Sequence, residues 1–77
     1  MSIEKIIAET KEYVLQELHE ATDLKTREDV LCARNRAFGA ILLACRLDGD
    51  LYEKLGEWWN DEILDEFYTI MDSKPRY

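Results

Sequence analysis

The 77-residue sequence predicts an all-α protein that folds as a small up-down-up three-helix bundle. Apolar residues recur at helical spacing over three segments, at about residues 3–21, 27–47 and 51–71. Turn-forming residues separate the segments, and the one proline, Pro75, follows all of them. Helices of this length with short connections lie antiparallel to their neighbours. We therefore expect one helical domain over residues 1–72 and a frayed tail over residues 73–77.

The first predicted helix begins at about residue 3, with Ser2 as its N-cap. At 100° per residue its apolar positions share one broad arc, which predicts one face buried against the other helices. That arc contains Ile3, Ile6, Ile7, Thr10, Tyr13, Val14, Leu18 and Ala21.

The second predicted helix begins near residue 27, where Thr26 to Asp29 resemble a capping box. It is apolar around most of its circumference, so we expect it to be the most buried helix, with Gly39 allowing a close helix crossing. The sequence Asp48-Gly49-Asp50 then predicts a glycine C-terminus and a new N-cap at Asp50.

Two charged residues fall among the apolar positions of these helices, Glu17 on the first and Arg34 on the second. A buried charge needs an opposite charge beside it. We predict that Glu17 and Arg34 form a partly buried ion pair that fixes the register of the two helices. The alternative, an anion site at Arg34, would need further cations or a helix N-terminus nearby, and the sequence places none there.

The third predicted helix changes its apolar face at Asn60. Apolar residues from Leu51 to Trp59 share one arc, and those from Ile63 to Met71 share another, rotated by roughly 120°. Either the helix bends or breaks there, with Asn60 capping a short fourth helix, or a continuous helix packs against two surfaces. The bend is the favoured interpretation.

Composition excludes several classes of function. Ten basic and seventeen acidic residues give a net charge of −7, which disfavours direct binding to duplex nucleic acid. The first residues mix both charge signs and lack the apolar run of a signal peptide, so we expect a cytoplasmic protein. The longest apolar stretch, Ala37 to Cys45, is far shorter than the roughly 20 residues that cross a bilayer.

Residues that commonly carry chemistry are scattered along this chain. Cys32 and Cys45 stand about 20 Å apart on one helix, which predicts reduced core thiols, and the one histidine, His19, has no partner ligand and is expected in solvent. We therefore expect no enzyme, no metal and no cofactor. Carboxylate pairs imitate the spacing of helical metal-dependent nucleotide pyrophosphohydrolases, which leaves a nucleotide hydrolase as a distant alternative. These pairs are Glu9 with Glu12, Glu17 with Glu20, and Glu62 with Asp65.

The strongest functional signal is the charge of the C-terminal part, since residues 48–72 carry nine acids and one base, Lys54. Aromatic side chains are interleaved with the acids, which is typical of a surface that binds a basic protein if the rings are exposed. The competing interpretation places the rings in the core, with the acids in solvent. The predicted partner-binding residues are Trp58, Trp59, Asp61, Glu62, Asp65, Glu66 and Tyr68. Phe67 belongs to the same aromatic set.

Two functions follow from these features. The first is a non-enzymatic protein interaction module, an inhibitor or adaptor for a basic partner, whose carboxylates about 6 Å apart along a helix imitate nucleic acid. The alternative is a self-associating homodimer, because helix two and the face from Ile63 to Met71 offer more apolar surface than two neighbours cover.

The run from Asn35 to Leu47, followed by an acidic helix that contains tryptophan, resembles uncharacterised short all-helical proteins of bacterial phages and mobile elements. The resemblance covers about half of the chain and rests on its arginine, Gly-Ala and leucine positions. It implies a bacterial or phage accessory protein and no particular activity or functional residue.

Overall fold

The computed structural model describes residues 2–76 and is an all-α three-helix bundle. Helix α1 spans Ile3–Ala21 and helix α2 spans Arg27–Leu47. The third helix consists of α3 (Leu51–Trp58), a π-helical turn (Trp59–Ile63) and α4 (Leu64–Asp72). The predicted bounds of the three helices are confirmed to within one residue. Met1 and Tyr77, which the predicted domain and tail include, lie outside the described residues.

The first two helices begin where their capping residues predict. The Ser2 hydroxyl accepts a hydrogen bond from the Lys5 amide at 3.1 Å, and the Thr26 hydroxyl accepts one from the Asp29 amide at 3.2 Å. Each bond satisfies an amide that the first turn of a helix leaves without a backbone partner. The N-cap at Ser2 and the start of α2 are therefore confirmed.

The turn between α2 and α3 is built differently from the prediction. The side chain of Asp50 makes no capping hydrogen bond, and its backbone is already helical. Asp48 caps this turn instead, because its Oδ1 accepts a hydrogen bond from the Asp50 amide at 3.0 Å. Gly49 has a negative φ like every other described residue, so it does not end α2 in a left-handed conformation.

The core is one continuous cluster between the helices. Helix α2 contributes mainly small side chains to it, such as Ala33 and Ala37, and α2 contacts all the other helices. Val30 and Ile41 are its larger buried residues, whereas its leucines stay outside the core. The expectation that α2 is the most buried helix is thus wrong for its leucines: Leu31, Leu42, Leu43 and Leu47 are all exposed.

Gly39 does not lie at a helix crossing. It is exposed, and a Cβ added there would meet no atom within 4 Å. The buried positions of α2 are instead Val30, Ala33, Ala37, Ile41 and Ala44.

The π-helical turn explains the shift of the apolar face at Asn60. The Leu64 amide donates to the Trp59 carbonyl five residues earlier, so the turn holds one residue more than an α-helical turn. The helix neither breaks nor uses Asn60 as a cap, since Ile63 precedes α4 without a side-chain capping bond.

The extra residue keeps the buried side chains of the third helix in line. An α-helix has 3.6 residues per turn, so a spacing of four drifts by about 40° at each step, or about 160° over four steps. One inserted residue removes about 100° of that drift. The buried residues are spaced by four throughout: Leu51, Leu55, Trp59, Ile63 and Phe67.

The C-terminal segment is attached to the start of α2, so the prediction of a frayed tail is wrong for residues 73–76. The Arg27 amide donates to the Pro75 carbonyl, and the Arg27 Nε donates to the Lys74 carbonyl, both at 2.9 Å. The Lys74 Nζ donates to the Thr22 carbonyl at 2.7 Å. The first of these bonds satisfies an amide that the N-terminus of α2 would otherwise leave unpaired.

The molecule is elongated and exposes much surface for its size. It measures 40 × 19 × 16 Å and has a radius of gyration of 12.9 Å, against about 11.5 Å for a compact domain of this length. Its accessible surface is 5342 Å², whereas folded monomers of its mass expose about 4,900 Å². None of the helices within residues 2–76 has the length and apolarity that crossing a membrane requires.

Candidate interaction surfaces

The rings predicted to bind a partner are divided between the core and the surface. Trp59 is 2% exposed, with ring centroids 5.3 Å from Phe38 and 5.7 Å from Phe67, which is also buried. Trp59 therefore cannot contact a partner, and its place among the partner-binding residues is corrected. Its burial follows from the four-residue spacing that places it in line with Leu55 and Ile63.

Trp58 and Tyr68 remain within reach of a partner. Trp58 is half-buried, and the ammonium group of Lys11 lies 5.1 Å from the centre of its ring, within the range of a cation–π interaction. Tyr68 is exposed on α4, and the guanidinium of Arg34 lies 6.0 Å from its ring centre. Trp58 and Tyr68 thus each have a cation from a neighbouring helix against the ring.

Arg34 does not pair with Glu17. Its guanidinium lies between two rings, 6.0 Å from the centres of both Trp59 and Tyr68, and its Nη1 donates to Asn35 Oδ1 at 2.9 Å. Its Nε is buried without a hydrogen-bond partner. The aromatic faces, rather than a carboxylate, accommodate this charge.

The cation beside Glu17 is Arg36. Glu17 is 8% exposed, and its Oε2 lies 3.1 Å from Arg36 Nη2 and 3.3 Å from Arg36 Nε. The hydrogen bond and the charge of Glu17 raise the pKa of the Arg36 guanidinium. Partial burial, with the negative charge of Glu17, raises the pKa of the neighbouring Tyr13. The predicted α1–α2 ion pair therefore exists with a different arginine.

The arginine that pairs with Glu17 is decided by which side of α2 faces α1. Arg34 and Arg36 are two residues apart, so they project about 200° apart around α2. Arg34 faces the third helix, where Trp59 lies, whereas Arg36 faces the α1 side that carries Glu17. Spacing on α2 alone shows both arginines near apolar residues and does not show which side α1 occupies.

The acids of the third helix form a continuous exposed row, which we call the acidic ridge. Its members are spaced by four and follow each of the first four buried residues by two positions, so they lie on the opposite side of the helix. The π-helical turn keeps this row in line just as it keeps the buried row in line. The acidic ridge consists of Glu53, Glu57, Asp61 and Asp65.

The carboxylates of the acidic ridge form no salt bridge with cations of the described residues. Glu62 and Glu66, which the sequence also assigned to partner binding, are exposed beside it. Among the described residues the one salt bridge is that of Glu17 with Arg36, so no acid of the third helix is paired with a cation of residues 2–76. Sequence reasoning placed Asp61 and Asp65 here but missed Glu53 and Glu57. Their four-residue spacing was the available signal.

A second surface lies between α1 and α2, and we call it the α1–α2 groove. It has a volume of about 250 Å³, and its walls are almost entirely apolar. Leu43 is 62% exposed and Leu47 is 69% exposed, which is unusual for leucine on helices that have a packed core on one side. The groove is lined by Ile6, Glu9, Thr10, Tyr13, Ala40, Leu43, Ala44 and Leu47.

The residues considered for chemistry remain separate. Cys32 is exposed rather than buried in the core, Cys45 is partly buried, and both are free thiols. Burial raises the pKa of the Cys45 thiol. His19 is exposed, as predicted. Over residues 2–76, no three side chains of histidine, cysteine, aspartate or glutamate come close enough together to hold a metal ion.

Comparison with known proteins gives no match among family profiles, curated proteins or solved structures.

Proposed function

We propose that this chain is a non-enzymatic protein interaction module whose acidic ridge binds a basic protein, which it inhibits or connects to other components. The observation that carries the proposal is the row of four exposed carboxylates, Glu53, Glu57, Asp61 and Asp65, unpaired within the described chain. The proposal assigns no catalytic residue and no cofactor. It includes the expected cytoplasmic location and an accessory role in a bacterium or phage.

The arrangement of the ridge supports a basic partner. Four residues of helix advance about 6 Å, so the ridge presents a straight line of negative charges at regular intervals. Regular lines of negative charge attract surfaces that bind nucleic-acid backbones, and the attraction acts over roughly 8–10 Å at physiological ionic strength. A protein that uses a basic face to bind nucleic acid is therefore the proposed class of partner.

Neighbouring side chains would add specificity to this attraction. Tyr68 is exposed close to the ridge, and Glu62 and Glu66 widen the negative surface on the same helix. Exposed tyrosine is common at the centres of protein interfaces because it offers a rigid apolar ring and a hydrogen-bonding hydroxyl. Trp58 is the second aromatic contact that we propose, because it is only half-buried.

The proposal is tested by capturing proteins from a bacterial lysate on the immobilised chain and on two variants of equal net charge. The ridge variant combines Asp61→Asn with Asp65→Asn. The control combines Glu12→Gln with Glu20→Gln, which removes the same charge from exposed positions of α1. We expect the wild type and the control to retain one basic protein in stoichiometric amount, and the ridge variant to lose it.

Two further results decide the nature of the interaction. Duplex DNA added as a competitor should displace the captured protein, and the affinity should fall as salt is raised, because ion contacts dominate such binding. Weak retention that is equal for all three chains, or a bound protein that DNA does not displace, would contradict the proposal.

A further inference from the structure

We propose that the α1–α2 groove is the contact surface of a two-fold symmetric homodimer, in which α1 of each chain packs against α2 of its partner. This surface is separate from the acidic ridge, and the inference does not depend on the proposed function. Three observations support a second copy of this chain as the occupant: the exposed leucines, the size of the face, and the distribution of charge between α1 and α2.

Leu43 and Leu47, the exposed leucines of the groove, lie on the side of α2 that faces away from the third helix. Phe38 contacts Trp59 of the third helix, and Leu47 follows Phe38 by nine residues, which turns it about 180° around α2. Leu43 is one turn from Leu47 on the same side. The pair α1 and α2 is therefore covered by the third helix on one side and is uncovered on the other.

The dimensions of the molecule suit a dimer contact. Its long faces measure 40 × 19 Å or 40 × 16 Å between Cα extremes, which is between about 640 and 760 Å². Stable protein interfaces bury about 800 Å² on each partner. The uncovered side of α1 and α2 is one such face. Covering it would also account for the excess of accessible surface and for the elongated shape.

Charge on the two helices is complementary between copies. Helix α1 carries five acids and two lysines, whereas α2 carries four arginines and two acids. Arg34 faces the third helix and does not contribute to this surface. Glu9 lines the groove on the α1 side, and Arg36, whose side chain is 54% exposed, lies on the α2 side.

This distribution selects one symmetry axis. An axis parallel to the helices places α1 of one chain over α2 of its partner, so acids face arginines. A perpendicular axis would place α1 over α1 and bring like charges together. The first arrangement is a four-helix bundle of two stacked helix pairs with antiparallel neighbours, the usual geometry of helical bundles. In it, the two acidic ridges point outward from opposite sides of the dimer.

The first test measures the mass of the full chain by sedimentation equilibrium, from low concentration to about 0.5 mM, where even a weak dimer forms. We expect a mass that rises toward twice 9.1 kDa. Leu43→Glu should raise the dissociation constant at least about 100-fold, because each dimer loses two leucine contacts and buries two carboxylates. The matched control is Leu42→Glu, which alters an exposed leucine outside the groove and should leave the dimer intact.

Two outcomes would overturn the dimer. One is a wild-type mass of 9.1 kDa at every concentration, which would leave the groove to a different occupant. The other is an equal loss of association in Leu42→Glu and Leu43→Glu. Far-ultraviolet circular dichroism shows whether each variant keeps its helices, and both substitutions fall on exposed side chains that are compatible with the fold.

The second test concerns the arrangement of the helices. Glu9→Arg replaces an acid of the groove with a cation that faces the side of the partner's α2 that carries Arg36, so we expect it to weaken the dimer several-fold. Glu12→Arg changes the net charge equally at an exposed position outside the groove lining, and we expect no comparable loss. Equal effects of the two variants would overturn the packing of α1 on the partner's α2.

Discussion

The π-helical turn of the third helix predicts that one deletion is tolerated where a neighbouring one is not. Asn60 is exposed within the turn, which holds one residue more than an α-helical turn. Deleting Asn60 lets the bond from the Leu64 amide to the Trp59 carbonyl close with regular α-helical spacing. The buried residues on both sides keep their orientations, because the deletion removes the extra residue alone. We expect the free energy of unfolding to change by no more than about 0.5 kcal/mol.

Deleting Asp65 is the matched control, because Asp65 is also exposed and polar but lies outside the turn. If the π-helical turn becomes a regular α-helical turn, Phe67 keeps its orientation, but Ile63 rotates by about 100° out of the core. If the helix keeps the turn, Phe67 rotates instead. Both side chains are at most 3% exposed. The less costly choice loses the burial of Ile63, or about 1.5–3 kcal/mol, and lowers the melting temperature by roughly 6–24 °C.

The assay is thermal unfolding followed by far-ultraviolet circular dichroism, with wild type and both deletions at the same protein concentration, since association would shift the melting temperature. The difference between the two deletions is the informative quantity. If deletion of Asn60 lowers the melting temperature as much as deletion of Asp65, the π-helical turn does not set the register of the buried row, and the explanation of the apolar shift at Asn60 is refuted.

Three further predictions concern the core, the thiol and the C-terminal segment. Phe67→Ala should lower the free energy of unfolding by about 3–5 kcal/mol, since Phe67 is fully buried; urea unfolding, with Glu66→Ala as the exposed control, measures this loss. Burial raises the pKa of Cys45 above its ordinary 9.0, so the folded state holds a proton that the unfolded state releases. The contribution of Cys45 to stability should therefore be fully present below about pH 9 and be lost as the pH rises above it. Melting curves under reducing conditions should show a smaller fall for Cys45→Ala. Truncation after Ser73 should speed hydrogen exchange of the Arg27 amide and cost roughly 1 kcal/mol, because the bonds to Lys74 and Pro75 are lost. An unchanged exchange rate at Arg27 would show that this contact does not persist in solution.

Helix bounds could be predicted from the sequence because they depend on local chemistry. Hydroxyl side chains at Ser2 and Thr26 cap amides three residues later, and such bonds form whatever the rest of the fold does. The turn at Asp48 shows the limit of this reasoning. Asp48 and Asp50 both lie close enough to the start of α3 to cap it. The backbone of Asp50 is already helical, and the side chain of Asp48 accepts the hydrogen bond instead.

The partner of Glu17 could not be predicted because it depends on which side of α2 is covered by α1. Arg34 and Arg36 both lie near apolar positions, and the sequence does not say which face meets α1 and which meets the third helix. In the structure, the aromatic rings of the third helix surround Arg34, which leaves Arg36 for Glu17. The burial of Trp59 follows from the four-residue spacing of the buried residues in the third helix, which the shift of the apolar face at Asn60 obscured in the sequence.

The two candidate surfaces arise from opposite properties of the chain. The acidic ridge exists because the third helix holds a strict four-residue period, which separates buried residues from acids all along its length. The α1–α2 groove exists because alanines fill three of the five buried positions of α2, whereas Leu43 and Leu47 stay exposed beside α1. The broad apolar arc predicted for α1 therefore serves two purposes: Val14 and Leu18 belong to the core, whereas Ile6 and Tyr13 line the groove. The apolar arc of α1 is wider than the core can cover, and this excess is the sequence feature that indicates an interface.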